Sequence, residues 1–316
     1  MSESIAVGVI GVGQLGARHA KLYAELPGAH LAGVADIDES RCREVAASCD
    51  VKGVVDFEEL LPEIQAASVA VPTVSHEAVT MALLDAGVHV LVEKPIAVTS
   101  DEAKRMTARA RERGLRLAVG HTERYNPAVA AVLAQSREPR FIEVHRLGSF
   151  SPRSLDIDVV RDLMIHDLDV VAALVGREVR SLEAVGVPVL TPRVDIANAR
   201  LRFDGGAVAN ITASRVSQDK VRKLRVFEKD RYVSLDYQAQ SAIRYQVFPT
   251  AAGGRPDIRM EDLVVGKEEP LKRELLDFLE AVATGSDPLV TGEMGGKALE
   301  LALSVVDAME RASRGE

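Results

Sequence analysis

Lys94 closes an apolar run, His89-Val90-Leu91-Val92, in the step Glu93-Lys94-Pro95. A lysine just past the end of a buried strand sits on the edge of a doubly wound sheet where ligands bind. The proline after it stiffens the turn and holds the preceding residue extended. A Lys-Pro step is also a common surface turn, so its meaning rests on the rest of the chain. A second stretch, Asp162-Leu163-Met164-Ile165-His166-Asp167-Leu168-Asp169, reads as helix. Helical spacing puts Asp162, His166 and Asp169 on one face and points Asp167 elsewhere. A carboxylate beside an imidazole fixes its tautomer and raises its basicity, as a general base requires. The ammonium of Lys94 suits a developing alkoxide. These groups together fit removal of a hydride from an alcohol carbon, with uptake of the hydroxyl proton.

Such chemistry needs a hydride acceptor, and the N-terminus carries the loop for one. Gly11-Val12-Gly13-Gln14-Leu15-Gly16 follows the apolar run Ile5 to Ile10 and opens a helix. Gly11 allows the tight turn, Gly13 lets backbone approach a pyrophosphate, and Gly16 lets helix pack on strand. The helix start offers free N–H groups to phosphates. Asp36 ends the second strand at the expected distance of about 20 residues, where it would accept from ribose hydroxyls and repel a 2'-phosphate. NAD is therefore expected rather than NADP. Asp36 as a helix cap is the plain alternative, although Asp38 can fill that role. Val71 and Pro72 end the fourth strand and His76 begins the next helix, so these three, with Glu93 and Lys94, are expected beside the cofactor. Capping or packing of its own helix is the equal alternative for His76.

The elements that position these residues fall into two rhythms. Through residue 121 short β-rich runs alternate with amphipathic helices, including one that Ser100 is expected to cap. That alternation means a parallel sheet covered on both faces. From about Phe141 strands follow one another, with Asp204-Gly205-Gly206 and Glu228-Lys229-Asp230 as hairpin turns. One helix interrupts near Val159 to Leu174, and two helices close the chain near Pro270 to Ala283 and Gly295 to Ala312. The expected fold is α/β: an N-terminal Rossmann doubly wound sheet over 1–121 and a C-terminal α/β domain over 122–316 with a large, mostly antiparallel open sheet. A loose segment is expected near Thr250 to Pro256.

Bulk properties narrow the class. The chain has 316 residues, 47% hydrophobic and 27% charged, with a formal charge of -8. That length accommodates two cored domains. The charge, without a Lys/Arg block, argues against a nucleic-acid partner. No apolar stretch is long enough for a bilayer, and the N-terminus reads as a strand, so no membrane partner is expected. Two cysteines, Cys42 and Cys49, read as ordinary reduced thiols, which fits a cytoplasmic location.

Gly11 to Gly16, Val71-Pro72-Thr73 to His76, Glu93-Lys94-Pro95 and Asp162 to His166 resemble the glucose-fructose oxidoreductase / inositol dehydrogenase (Gfo/Idh/MocA) family. The closing segment Glu269-Pro270 to Gly295, with Phe278 and Pro288, fits the family's C-terminal pattern, so the resemblance covers essentially the whole chain. It implies a Rossmann domain and an α/β domain whose open sheet commonly builds homodimers or homotetramers. It also implies NAD-dependent hydride exchange at a sugar or cyclitol carbon, with Lys94, Asp162 and His166 in the catalytic positions. One departure is Met164, where many members carry glycine, and it implies different crowding near the substrate.

Gly120-His121-Thr122-Glu123-Arg124-Tyr125-Asn126-Pro127, with Arg161-Asp162-Leu163-Met164-Ile165-His166-Asp167, is similar to UDP-N-acetylglucosamine 3-dehydrogenases and related nucleotide-sugar enzymes. That likeness implies oxidation of a 3-hydroxyl to a 3-keto sugar nucleotide. His166, oriented by Asp162, would take the proton, and Lys94 would touch the same substrate. Arg124 and Asn126 would bind at the mouth of the crevice. Arg161 and Arg153 would face a diphosphate, as forked donors suited to it; solvated surface pairs are the plain reading of these arginines. A dehydrogenase of a free sugar, inositol or sugar acid would use the same residues without a diphosphate subsite. A non-catalytic NAD-binding regulator on this fold is the remoter alternative. Alcohol oxidation of this kind needs no metal, and none is expected.

Overall fold

The computed structural model describes residues 4–150, 157–248 and 257–315. Arg153 and the whole segment 250–256 lie outside them. The chain divides into two compact units: Met1–Thr122 with Glu269–Leu299, and Glu123–Glu268 with Glu300–Glu316. The first begins β1 (Ile5–Ile10), α1 (Gln14–Glu25), β2 (Ala29–Ala35), α2 (Glu39–Cys49), β3 (Lys52–Val54) and β4 (Ala66–Val69). It continues α3 (His76–Asp85), β5 (His89–Glu93), α4 (Ser100–Glu112) and β6 (Leu117–Gly120). All six strands pair in parallel, in the order β3-β2-β1-β4-β5-β6. The order reverses between β1 and β4, which is where a doubly wound sheet binds its ligand. Strand β4 is buried throughout and β5 nearly so, which is why both are mostly apolar rather than alternating.

Two local details differ from expectation. The cap of α4 is Thr99 rather than Ser100, because Glu102 reaches back to complete a capping box with Thr99. Strand β4 ends at Val69, so Val71 and Pro72 stand in the loop beyond it. Among the described cysteines, Cys42 is buried with Sγ toward the carbonyls of Val34 and Val54, and both thiols are free.

The second unit contains α5 (Pro127–Gln135), β7 (Phe141–Leu147), a π-helical turn over Val160–Met164, and α6 (Ile165–Val175). Then come β8 (Val179–Val187), β9 (Ile196–Phe203), β10 (Val208–Ser214), β11 (Val221–Phe227), β12 (Arg231–Asp236), β13 (Ser241–Phe248) and β14 (Asp257–Asp262). They form one eight-stranded sheet, ordered β14-β13-β12-β11-β7-β10-β9-β8. Every neighbouring pair is antiparallel except β7 with β10. Burial alternates residue by residue along β7, β9 and β10, the mark of a sheet covered on one face. Helices α5 and α6 cover that face.

The chain closes with α7 (Pro270–Thr284) and α8 (Gly292–Arg314). Helix α7 belongs to the first unit, so the division of the sequence into 1–121 and 122–316 is corrected here. The reason is packing. Leu271, Leu275, Phe278 and Leu279 of α7 join Ala20, Tyr23 and Leu26 of the α1 region in one apolar cluster with β1 and β2. A stripe of this spacing, left in water, would expose four large side chains, each contributing about 1.5–3 kcal/mol on burial. Among the described residues no helix is long and apolar enough to cross a membrane.

Candidate active site

The glycine loop is fixed by close approaches that only glycine permits. Gly11 takes a φ of +83° and gives its N–H to the carbonyl of Ala35 at 2.8 Å. A Cβ on Gly16 would lie 1.8 Å from the Gly11 oxygen, so α1 seats directly on the turn. At Gly13 a Cβ would meet nothing within 4 Å; the backbone is open there to an approaching ligand. Helix α1 has no side-chain cap and no acid in its first turn, leaving its N–H groups and positive end for an anion. Gln14 and Leu15 are exposed beside them.

Asp36 terminates β2 and is 8% exposed. Its Oδ2 accepts from Val12 N at 2.8 Å and its Oδ1 from Asp38 N at 2.9 Å. Arg41 Nη1 stands 3.5 Å from Asp36, while its Nη2 pairs with Asp38 at 3.1 Å. Asp38 is also the cap of α2, the role weighed for Asp36. A cavity of about 570 Å³ opens between Gly11, Gly13, Asp36, Ile37, Val71 and Pro72. Its size and its mixture of apolar walls with one carboxylate suit the adenosine half of a dinucleotide. The residues present therefore fit NAD.

His76 is placed differently from Val71 and Pro72, which stand half-buried and exposed in the loop. It is 1% exposed, with Nδ1 2.9 Å from the Pro95 carbonyl and Nε2 2.9 Å from the Val71 carbonyl. The ring thus bolts the loop after β4 to the turn after β5. Burial pushes its pKa down, against the pull of the two carbonyls, so the ring is neutral and donates to one carbonyl at a time. Lys94 is half-buried, and its peptide bond to Pro95 is cis. Glu93 turns inward: Oε1 lies 3.1 Å from His19 Nε2, and Oε2 accepts from Lys94 N at 3.2 Å.

The acid–base residues expected in the second unit stand on and just after the π-helical turn. Asp158 starts that turn by accepting from the amides of Val160 and Arg161 at 3.0 and 2.9 Å. It also takes Arg161 Nε at 2.6 Å, which anchors that side chain beside the turn. The amide of Ile165 bonds back to Val160 O, widening the turn by one residue, an arrangement frequent at functional sites. Asp162 and His166 are half-buried, one in the widened turn and the other at the start of α6. Met164 is fully buried, so the side chain standing in for the family's glycine packs into the interior.

Beneath this turn lies a network that sequence reading did not single out. Asp167 is fully buried and receives Arg146 through two bonds, Nε at 2.6 Å and Nη2 at 2.9 Å. Arg146 gives Nη1 to Glu123 at 3.0 Å and lies 5.0 Å over the Tyr237 ring. Burial works against its charge, but Asp167 and Glu123 outweigh it and hold the guanidinium's pKa well above its ordinary value. A signal for Arg146 was available: alternation along β7 puts it on the same face as Ile142 and Val144, a charge on an apolar face. Arg222 stands across from Arg146 on β11. Partial burial and then Arg146 lower its pKa, while Asp162 is among the carboxylates that oppose the shift.

Two expected substrate residues are tied into the same framework. Arg124 Nη1 reaches the buried Asp169 at 3.3 Å. Asn126 is 2% exposed and caps α5, with Oδ1 accepting from Ala128 N at 3.1 Å and Nδ2 donating to the Tyr237 carbonyl at 3.0 Å.

Two family descriptions match this chain: the oxidoreductase family with NAD-binding Rossmann fold over residues 5–121, and the GFO/IDH/MocA C-terminal domain over residues 128–231. The UDP-N-acetylglucosamine 3-dehydrogenase of Acidithiobacillus ferrooxidans is 41% identical over 304 residues, 96% of each chain. Its solved structure superposes with a TM-score of 0.92, covering 97% of this chain and 98% of that one. The scyllo-inositol 2-dehydrogenase (NAD(+)) of Bacillus subtilis is 28% identical, covering 92% of this chain and 90% of its own. A levoglucosan dehydrogenase in complex with NADH and levoglucosan shares the fold at 19% identity, with a TM-score of 0.87. From its nucleotide loop to its eight-stranded sheet, the chain belongs to the GFO/IDH/MocA family of NAD-binding oxidoreductases.

Proposed function

We propose that this protein oxidises the 3-hydroxyl of a UDP-N-acetylhexosamine, giving a 3-keto sugar nucleotide. The observation that carries this reading is the 41% identity to a UDP-N-acetylglucosamine 3-dehydrogenase along 96% of both chains. NAD, when bound, supplies the hydride acceptor. Gly11 to Gly16 cradle its pyrophosphate, Asp36 takes the ribose hydroxyls, and Val71 and Pro72 border it. His166 takes the hydroxyl proton, with Asp162 setting its orientation, and Lys94 offers its charge to the developing alkoxide. Arg161 and Arg222 are the cations assigned to the diphosphate, and Arg124 to the sugar. Asn126 and Glu93 act through the segments they hold.

Asp36 favours NAD over NADP, since a carboxylate this close to the ribose repels a 2'-phosphate. Two or four copies associate through the sheet of the second unit, whose β8 leaves Val185 and Val187 exposed; sedimentation velocity checks the number. Two free thiols suit a reducing cytoplasm.

The likeness to an inositol dehydrogenase favours a second reading, oxidation of a free polyol. Absorbance of reduced nicotinamide separates the two. Purified protein with NAD is expected to turn over UDP-N-acetylglucosamine or its galacto epimer and to ignore inositol and glucose. Turnover of the free polyols alone would replace the first reading with the second.

A further inference from the structure

The first unit buries three titratable side chains that the nucleotide loop does not use. His19 on α1, Glu93 at the end of β5 and Glu274 on α7 are 0%, 6% and 1% exposed. One nitrogen or oxygen of each lies within 4.8 Å of the others. His19 Nε2 faces Glu93 Oε1 at 3.1 Å, and the other oxygen of Glu93 accepts the backbone N–H of Lys94 at 3.2 Å. Among the described residues neither oxygen of Glu274 has a donor in full hydrogen-bonding geometry, although the Thr122 side chain lies close enough to favour its charge. The sheet keeps room for the cluster: Gly120 of β6 pairs with Glu93, and a Cβ there would lie 2.8 Å from Glu93 Oε2.

Two ionised carboxylates this close in a dry interior repel each other, and a buried carboxylate without donors is costly. One proton relieves both problems, because a carboxylic acid carries its own donor. Its place follows from the neighbours. Glu93 has the Lys94 amide as a donor on one oxygen and the His19 ring 3.1 Å from the other, outside full hydrogen-bonding geometry. Glu274 has neither.

We propose that His19, Glu93 and Glu274 form a sealed proton-holding triad, with Glu274 a neutral carboxylic acid, and that its Glu93 carboxylate positions Lys94. Burial first, then Glu93, pushes the Glu274 pKa well above the carboxylate range, with Thr122 acting the other way and Asp277 adding to it. Tyr23, one turn along α1, is a further ionisable group against the triad; its hydroxyl pairs with Ser68 at 3.0 Å. Burial holds that phenol protonated too, and Glu274 and Glu93 contribute. Deprotonating Glu274 at alkaline pH sets a second negative charge against Glu93, which then draws away from the Lys94 amide. The triad deepens the proposed reading, since it concerns the lysine assigned to the substrate hydroxyl.

Infrared spectra of the apoprotein test it without substrate. A carboxylic-acid C=O stretch is expected at neutral pH, lost on alkaline titration and absent in Glu274→Gln. The alkaline limb of the kcat profile should be displaced in the same variant, whereas a merely structural role would lower stability and leave the profile in place. Glu93→Gln should lower kcat about 10²-fold, the scale of a misplaced catalytic group, with NAD affinity kept. It should also move the loss of the acid band to lower pH, because Glu274 loses its like-charged neighbour; this second variant decides the matter if Glu274→Gln does not fold. No acid band, a band that survives Glu274→Gln, or a stoichiometric metal ion lost with Glu274 would overturn the triad. Absent turnover of nucleotide sugars, with the band behaving as described, the substrate assignment fails and the triad stands.

Discussion

Val12 gives its backbone N–H to Oδ2 of Asp36 at 2.8 Å, so the carboxylate that ends β2 holds the glycine loop as well as lining the cavity. Substitution at this position therefore has two effects. Asp36→Asn keeps an acceptor for Val12 but removes the charge that repels a 2'-phosphate. It also releases Arg41, whose Nη1 stands 3.5 Å from that oxygen, to meet such a phosphate. The expected outcome is a KM for NAD raised about 10- to 10²-fold, the loss of roughly 1.5–3 kcal/mol of charge-assisted bonding, with NADP use gained. Steady-state kcat/KM for both cofactors checks it; an unchanged preference would remove Asp36 from the ribose.

Lys94→Met separates binding from chemistry. The side chain keeps its apolar stem and loses its charge. Loss of an electrostatic stabiliser is expected to lower kcat about 10²–10³-fold, while NAD affinity by fluorescence titration stays near that of the parent. A loss confined to KM would make Lys94 a binding group only.

His76 gives a pH dependence whose sign is fixed. Burial lowers its pKa in the folded protein below the ordinary 6.5, so the unfolded chain binds the extra proton first. Its contribution to stability is complete above about pH 6.5 and is lost as pH falls from there through the folded value. In His76→Gln that component is gone. The melting-temperature gap between parent and variant should be widest near neutral pH and narrow on acidification. A gap that widens toward acid would contradict the neutral ring.

Much of this was readable before any coordinates. The glycine loop, Asp36 and the strand-helix alternation are local signals, and they fold as local rules require. The hairpin turn at Asp204-Gly205-Gly206 joins β9 to β10 for the same reason. What stayed hidden depends on partners distant in sequence. Helix α7 joins the first unit because its apolar stripe matches one on α1, more than two hundred residues earlier. His76 read as a candidate cofactor contact because its two carbonyl partners, Val71 and Pro95, are backbone atoms without a sequence signature. The π-helical turn under Asp162 arises from packing and carries no propensity signal.

The Arg146–Asp167 pair makes the sharpest case, because it lies one residue from His166 and is almost wholly buried. Neither charge can reach water if the other is removed. Arg146→Met or Asp167→Leu alone is expected to destabilise the protein by about 3–5 kcal/mol, the cost of leaving one buried ion uncompensated. The double variant should recover much of that loss, since an apolar pair of similar volume needs no desolvation of charge. Glu123 moderates the asymmetry: without Asp167, Arg146 still has the bond from Nη1 to Glu123 at 3.0 Å, so Asp167→Leu should cost less than Arg146→Met, which strands two carboxylates. Urea denaturation of the four proteins measures these differences and the coupling. If the pair serves only the fold, kcat in the double variant returns with stability. If it also sets the pitch of the turn that carries Asp162 and His166, stability returns and kcat stays low.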